Sequence, residues 1–151
     1  MPLASLVRPE LIIPNLPGSD RPGVLRALAH LAVEQGGVAA TPEELYGKLL
    51  EREELASTGI GHGVAVPHCK LRRIDRVTVG VGRHHAGVHF DALDGQPVRL
   101  FFLVISPAKS PALHLQCLAS ISRWVKMEDR VDELLKAEDA AAMAALFEDA
   151  V

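Results

Sequence analysis

Apolar and polar positions along this chain keep two different rhythms. Val24, Leu25, Leu28, Leu31 and Ala32 fall on one helical face. That face predicts a first helix starting at Ser19, with Asp20 in its first turn and Gly36-Gly37 after its end. Thr41-Pro42-Glu43-Glu44 reads as a capping box with proline at the first position. The second helix begins there, turns Leu45, Leu49 and Leu50 inward, and ends near Glu54 or Leu55. The rhythm then changes to strand. Val64, Ala65 and Val66 are too few for a helix, and Pro67 cannot donate to a ladder, so a short strand ends there. Val77, Val79 and Val81 alternate with Thr78, Gly80 and Gly82 and predict another strand. Residues 88–90 and 98–105 bracket Asp94-Gly95, a hairpin signal. Residues 100–105 are apolar throughout, which predicts a central strand covered on both faces.

The prolines and serines of 106–111 break the chain, and Ser110 can cap a third helix with Pro111 at its first position. Cys117, Leu118, Ile121, Trp124 and Val125 form its apolar stripe. Two short helices follow, near 128–135 and 137–147. Helices first, strands in the middle and helices last predict an α/β fold. The expected form is a single domain over 1–151, with a mixed, mostly parallel sheet of about five strands and helices on both faces.

Composition narrows the field. A chain of 151 residues with 48% hydrophobic content can bury a proper core. A formal charge of −3 with no basic stripe argues against nucleic-acid binding. No apolar run approaches the roughly 20 residues of a membrane helix, so no direct membrane insertion is expected. The N-terminus carries Pro2, Arg8, Pro9 and Glu10 in place of a signal-peptide centre, so the expected compartment is the cytoplasm. Cys69 and Cys117 read as small buried apolar residues and not as a disulfide.

The chemistry concentrates at Gly61-His62-Gly63-Val64-Ala65-Val66-Pro67-His68-Cys69. This run places His68 at the tip of a strand, where α/β folds keep their chemistry. Near neutral pH histidine is a nucleophile as well as a base. His114 lies in the first two turns of the third helix, on its inward stripe. If the strands before the two histidines run parallel, both reach one edge of the sheet, beside the free N–H groups and positive dipole end of a helix start. A phosphoryl group on His68 would need fixed positive partners. His114 can donate an N–H, Arg52 a forked cation, and Ser57 and Thr58 hydroxyls. Gly59, Gly61 and Gly63 would let a partner's backbone come close.

Glu53, Ile60, Gly61, Val64, Ala65, Val66, Pro67, His68 and Cys69 fit in order and spacing the pattern around the phosphorylated histidine of the fructose/mannitol-type IIA proteins. These belong to the phosphoenolpyruvate-dependent phosphotransferase system. The flanking Arg52, Ser57-Thr58-Gly59, residues 90–94, Pro97-Val98 and His114-Leu115 agree, and the likeness runs from about Pro22 to the C-terminus. The resemblance implies that His68 is phosphorylated on Nε2, that His114 is the second active-site histidine and that Arg52 helps hold the phosphoryl group. It implies an HPr-type phosphocarrier as donor, itself charged by enzyme I, and no cofactor or metal. The onward partner would be a IIB component in the sugar-delivery branch, or regulatory target proteins in the nitrogen branch. The Ser57–Gly61 wording and the short solitary chain most resemble the nitrogen-regulatory IIA proteins.

Other readings compete. A binding module that keeps the fold without transferring phosphate is one. A metal hydrolase built on His62, His68 and Cys69 is another, with poor ligand spacing. His62 reads as exposed. His84, His85 and His89 read as an exposed turn, and Asp91 and Asp94 as turn caps.

Overall fold

The computed structural model describes residues 2–148. Two short 3₁₀ turns, Leu3–Ser5 and Pro9–Leu11, lead into β1 (Ile12–Ile13), α1 (Arg21–Glu34) and α2 (Pro42–Leu55). Then come β2 (Gly59–Gly61), β3 (Val64–Ala65), β4 (His68–Leu71), β5 (Thr78–Val88) and β6 (Val98–Pro107). Three helices close the chain: α3 (Pro111–Lys126), α4 (Arg130–Lys136) and α5 (Ala140–Glu148).

The strands form one mixed sheet in the order β1-β5-β6-β3-β2, with β4 also on β6. The β1–β5, β3–β6 and β4–β6 ladders are parallel, and β5–β6 and β2–β3 are antiparallel. Residues 100–105 are fully buried, as an unbroken apolar run in a central strand demands. Phe101, Leu103 and Ile105 enter a core with α1 and α2, while Leu100, Phe102 and Val104 enter a second core with α3 and α5. The period-two alternation of one strand thus feeds helices on both faces. In the second core Trp124 stacks on Phe147, with ring centroids 4.2 Å apart.

Several local expectations change. The first helix begins at Arg21, because Asp20 is its cap and accepts the Gly23 N–H at 2.9 Å. Thr41 caps α2 through the Glu44 N–H at 3.1 Å, but the Glu44 carboxylate pairs with Arg73, so the box closes on one side only. Ser110 holds the cap position of α3, yet its side chain makes no capping bond. The strand at 64–66 does not end the matter at Pro67: β4 resumes at His68. Val64 pairs with Leu100 and His68 with Val104, so the register along β6 is unchanged across the proline. His68 therefore opens a strand segment and does not sit at a strand tip.

The expected strands at 77–81 and 88–90 are one strand, β5, with an irregularity between Arg83 and Val88. The connection to β6 spans residues 89–97, and within it Gly95 N–H bonds to Ala92 O at 3.0 Å. Polar Arg83, His84 and His85 hid this continuity. Arg83 is buried at 4% exposure. It donates to the carbonyls of Pro14, Leu134, Leu135 and Ala137. The last three lie at the C-terminal end of α4, where a cation meets the negative end of the helix dipole.

Arg83→Ala strands these carbonyls without a donor. It is expected to lower unfolding free energy by about 3 kcal/mol, with Arg83→Lys losing less; denaturant melts of the three proteins check this.

Candidate active site

The site is set up by a two-residue hairpin. His62 and Gly63 join β2 to β3 with φ of 59° and 75°, the positive pair that a type I′ turn requires. Gly61 precedes them at φ 90°. Gly61 and Gly63 are therefore needed for the path of the chain. Gly59 is needed for packing, since a Cβ there would lie 2.8 Å from that of Ala92. Asp94 pins the hairpin by accepting the His62 N–H at 3.2 Å.

β2 pairs only with β3, so among the described residues the outer edge of β4 carries no strand. The end of α2 and the start of α3 flank that edge instead. Between them lies an open cleft of about 330 Å³, lined by Lys48, Glu51, Arg52, Leu55, His68, Cys69, Lys70 and His114. Three of the residues singled out in the sequence thus come together: His68, His114 and Arg52. The two imidazoles stand 5.1 Å apart between centroids, tilted by 57°.

Hydrogen bonds decide the state of the first ring. His68 Nδ1 lies 2.8 Å from the carbonyl oxygen of Val66. A carbonyl only accepts, so Nδ1 carries the proton and Nε2 keeps its lone pair. Burial lowers the His68 pKa, opposed by the Val66 bond and helped by the charges of Arg52 and Lys70. His114 is buried, with Nδ1 2.7 Å from the hydroxyl of Ser106. Burial first, then the charges of His68 and Lys70, pull its pKa down to about 4. Both rings are neutral at pH 7, in a cleft that also holds Lys48, Arg52 and Lys70. When Ser106 donates to Nδ1 of His114, Nε2 of that ring is left as an N–H donor.

Arg52 is half-buried, and one guanidinium nitrogen donates to Ala56 O at 2.7 Å. Its neighbour Glu53 is 2% exposed and accepts from both the N–H and the hydroxyl of Thr58. Burial raises the Glu53 pKa, against the Thr58 bonds and the charges of Arg21 and Arg52. Ser57 donates to Phe90 O and accepts from Gly59 N–H at 3.0 Å. The hydroxyls of Ser57 and Thr58 therefore brace the turn after α2, and neither residue lines the cleft. The start of α3 also contributes less than expected. Pro111 has no N–H, and those of Leu113 and His114 bond to Ser110 O. The charged and imidazole side chains of Lys48, Glu51, Arg52, His68, Lys70 and His114 line the cleft.

Lys48, Lys70 and Ser106 escaped sequence reasoning. Lys70 could have been found, since residues i and i+2 of a strand share a face and His68 is its i−2 neighbour. Cys69 has its thiol pushed up to about 12 by burial, which keeps it protonated and inert. Among the described residues no three His, Cys, Asp or Glu side chains are grouped to hold a metal, and no helix is long and apolar enough to cross a membrane.

A neutral imidazole with a free lone pair, framed by cations, suits the reversible carriage of an anionic group. The chain belongs to the EIIA type 2 family of the phosphoenolpyruvate-dependent sugar phosphotransferase system, whose model matches residues 5–150; the domains of this family act as phosphoryl carriers. It is 36% identical over 143 residues to a nitrogen regulatory protein of Bradyrhizobium diazoefficiens, covering 95% of this chain and 92% of that one. It is 39% identical over 129 residues to a fructose-specific EIIA component of Haloferax volcanii, covering 85% and 83%. Its fold matches the nitrogen regulatory protein IIA-Ntr of Neisseria meningitidis with a TM-score of 0.89, at 23% identity and 96% and 98% coverage. It matches the mannitol IIA of Escherichia coli with a TM-score of 0.77, at 22% identity and 91% and 96% coverage.

The low His114 pKa has a consequence for stability. Between pH 6.5 and about 4 the unfolded histidine binds a proton that the native one refuses. Stability therefore falls as pH drops through that window, and is unaffected by this group above it. His114→Gln is expected to flatten the acid limb of a stability–pH profile; an unchanged limb would contradict the assignment.

Proposed function

We propose that the protein carries a phosphoryl group on Nε2 of His68, received from the phosphohistidine of an HPr-type phosphocarrier. The observation that carries this reading is the bond from Nδ1 of His68 to the Val66 carbonyl, which leaves Nε2 unprotonated and turned to an open cationic cleft. The lone pair of Nε2 attacks phosphorus as the donor's P–N bond breaks, and that bond's electron pair returns to the donor ring. No proton need leave His68. Arg52 balances the charge on the phosphoryl oxygens, and Nε2–H of His114 donates to one of them. Lys70 and Lys48 add positive potential across the same cleft.

The cleft has an apolar rim. Leu55 is 79% exposed at the end of α2, and Leu115 is 66% exposed beside His114. Such residues let a carrier protein seat closely and leave again. The acceptor of the phosphoryl group sets the branch. The near full-length similarity to nitrogen regulatory proteins of two organisms supports a regulatory role, in which phosphorylation changes the surface that target proteins meet. Similarity to a fructose-specific component supports delivery to a IIB partner as the second reading.

Incubation with phosphoenolpyruvate, enzyme I and an HPr-type carrier is expected to add one acid-labile phosphoryl group to the wild type and none to His68→Ala. Addition that survives His68→Ala would overturn the reading. Failure of the phosphorylated protein to pass its group to a fructose-type IIB would favour the regulatory branch, and rapid transfer the sugar branch. Leu55→Asp and Leu115→Asp are expected to raise the KM for the donor about tenfold, with kcat nearly kept.

A further inference from the structure

Glu53 touches no residue of the cleft's chemistry by hydrogen bond, yet it is a buried carboxylate, and such a group is costly to keep. Its partner is Thr58, which gives it both an N–H at 3.0 Å and a hydroxyl. The carbonyl of Thr58 in turn accepts the N–H of Val66 at 3.0 Å. The carbonyl of Val66 accepts Nδ1–H of His68 at 2.8 Å. Thr58 and Val66 are thus each held at both their donor and their acceptor. The line begins in a side chain of α2 and ends on the nucleophilic ring.

We propose that Glu53 is a positioning residue for His68, acting through Thr58 and the backbone of Val66 to hold the ring in the tautomer with Nε2 unprotonated; this rests on His68 being the phosphoryl acceptor. The geometry gives each member a task. Glu53 fixes the turn at 56–58, where Arg52 also bonds to Ala56 O. Thr58 holds Val66 against the outer side of the strand. Pro67 keeps that segment short of a ladder donor, and the Val66 carbonyl is left to the ring. A histidine whose proton sits on the wrong nitrogen keeps its place but loses its nucleophile, and fixing the tautomer is how acidic partners serve histidines elsewhere. Glu53 serves through two intermediaries, so its carboxyl group makes no bond to the ring that would carry the phosphoryl group. A carboxylate bonded directly to His68 would bring a negative charge close to the dianion.

The test reads ring nitrogen shifts and transfer rates together. In ¹⁵N spectra above the titration of His68, the wild type is expected to show Nδ1 protonated and Nε2 bare. Glu53→Ala and Thr58→Val are expected to show a protonated Nε2 fraction and a transfer rate lowered about ten- to a hundredfold. Glu53→Gln keeps an oxygen for one Thr58 donor and is expected to recover most of both signals. If Glu53→Ala fails to fold, the Thr58→Val and Glu53→Gln pair gives the same contrast. A slowed Glu53→Ala or Thr58→Val with the wild-type tautomer would make the residue merely structural and overturn the proposal, as would an unchanged rate. A wild type that is never phosphorylated on His68 sinks the carrier reading instead, and the nitrogen shifts still report on the positioning.

Discussion

The site depends on one backbone register. The segment from Val64 to Leu71 runs along β6 with a constant offset, despite a proline in its middle that can only accept, as it does from the Val104 N–H at 3.0 Å. Because the offset holds, side-chain alternation also holds. Val64 and Val66, with Leu100, Phe102 and Val104 of β6, belong to the α3 side, while Ala65, Cys69 and Leu71 belong to the α1 and α2 side. His68 is in phase with the first set and so meets His114. A slip of one residue would turn it to the other face. The same phase sends the Val66 carbonyl to the outer side of the strand, where the imidazole takes it.

Charge is handled in two ways in this small molecule. Arg83 is sunk between sheet and helix and donates to four carbonyls, and Glu53 is sunk beside Thr58 with two donors. Arg83 ties distant parts of the chain together, whereas Glu53 closes a local turn with the charges of Arg21 and Arg52 acting on it. At the cleft the pattern reverses: cations stay open to solvent, and the two histidines between them stay neutral. Three cations against the single carboxylate of Glu51 give the cleft a net positive lining that attracts an anion, and their contact with solvent lets the anion leave again.

The framework was readable in the sequence wherever one rhythm ran without interruption. The run at 100–105, the Thr41-Pro42 start of α2 and the stripe from Cys117 to Trp124 all signal their places by periodicity or by a local cap. The pairing of His68 with His114 was readable too, because each follows a strand of the same sheet. Reading failed where tertiary contacts overrule local chemistry. Arg83, His84 and His85 look like a turn, and only four distant carbonyls explain why an arginine can continue a buried strand. Pro67 looks like an end, because in isolation nothing shows that its neighbours keep pairing beyond it. Ser57 and Thr58 look like ligands for an anion, since no local signal announces that Phe90 and Glu53 have already engaged them. Lys48 reaches the cleft only because α2 lies along the uncovered edge of β4.

The sheet has two edges with different neighbours. At one edge lie β2, β4 and the histidine cleft. At the other lies β1, against which α5 packs, together with both 3₁₀ turns that precede it. The first and last described segments of the chain are therefore next-door neighbours on the side remote from the chemistry. A segment attached beyond either described end would start from that side, away from the histidine edge, an arrangement that suits a module used alone or as one bead on a longer string.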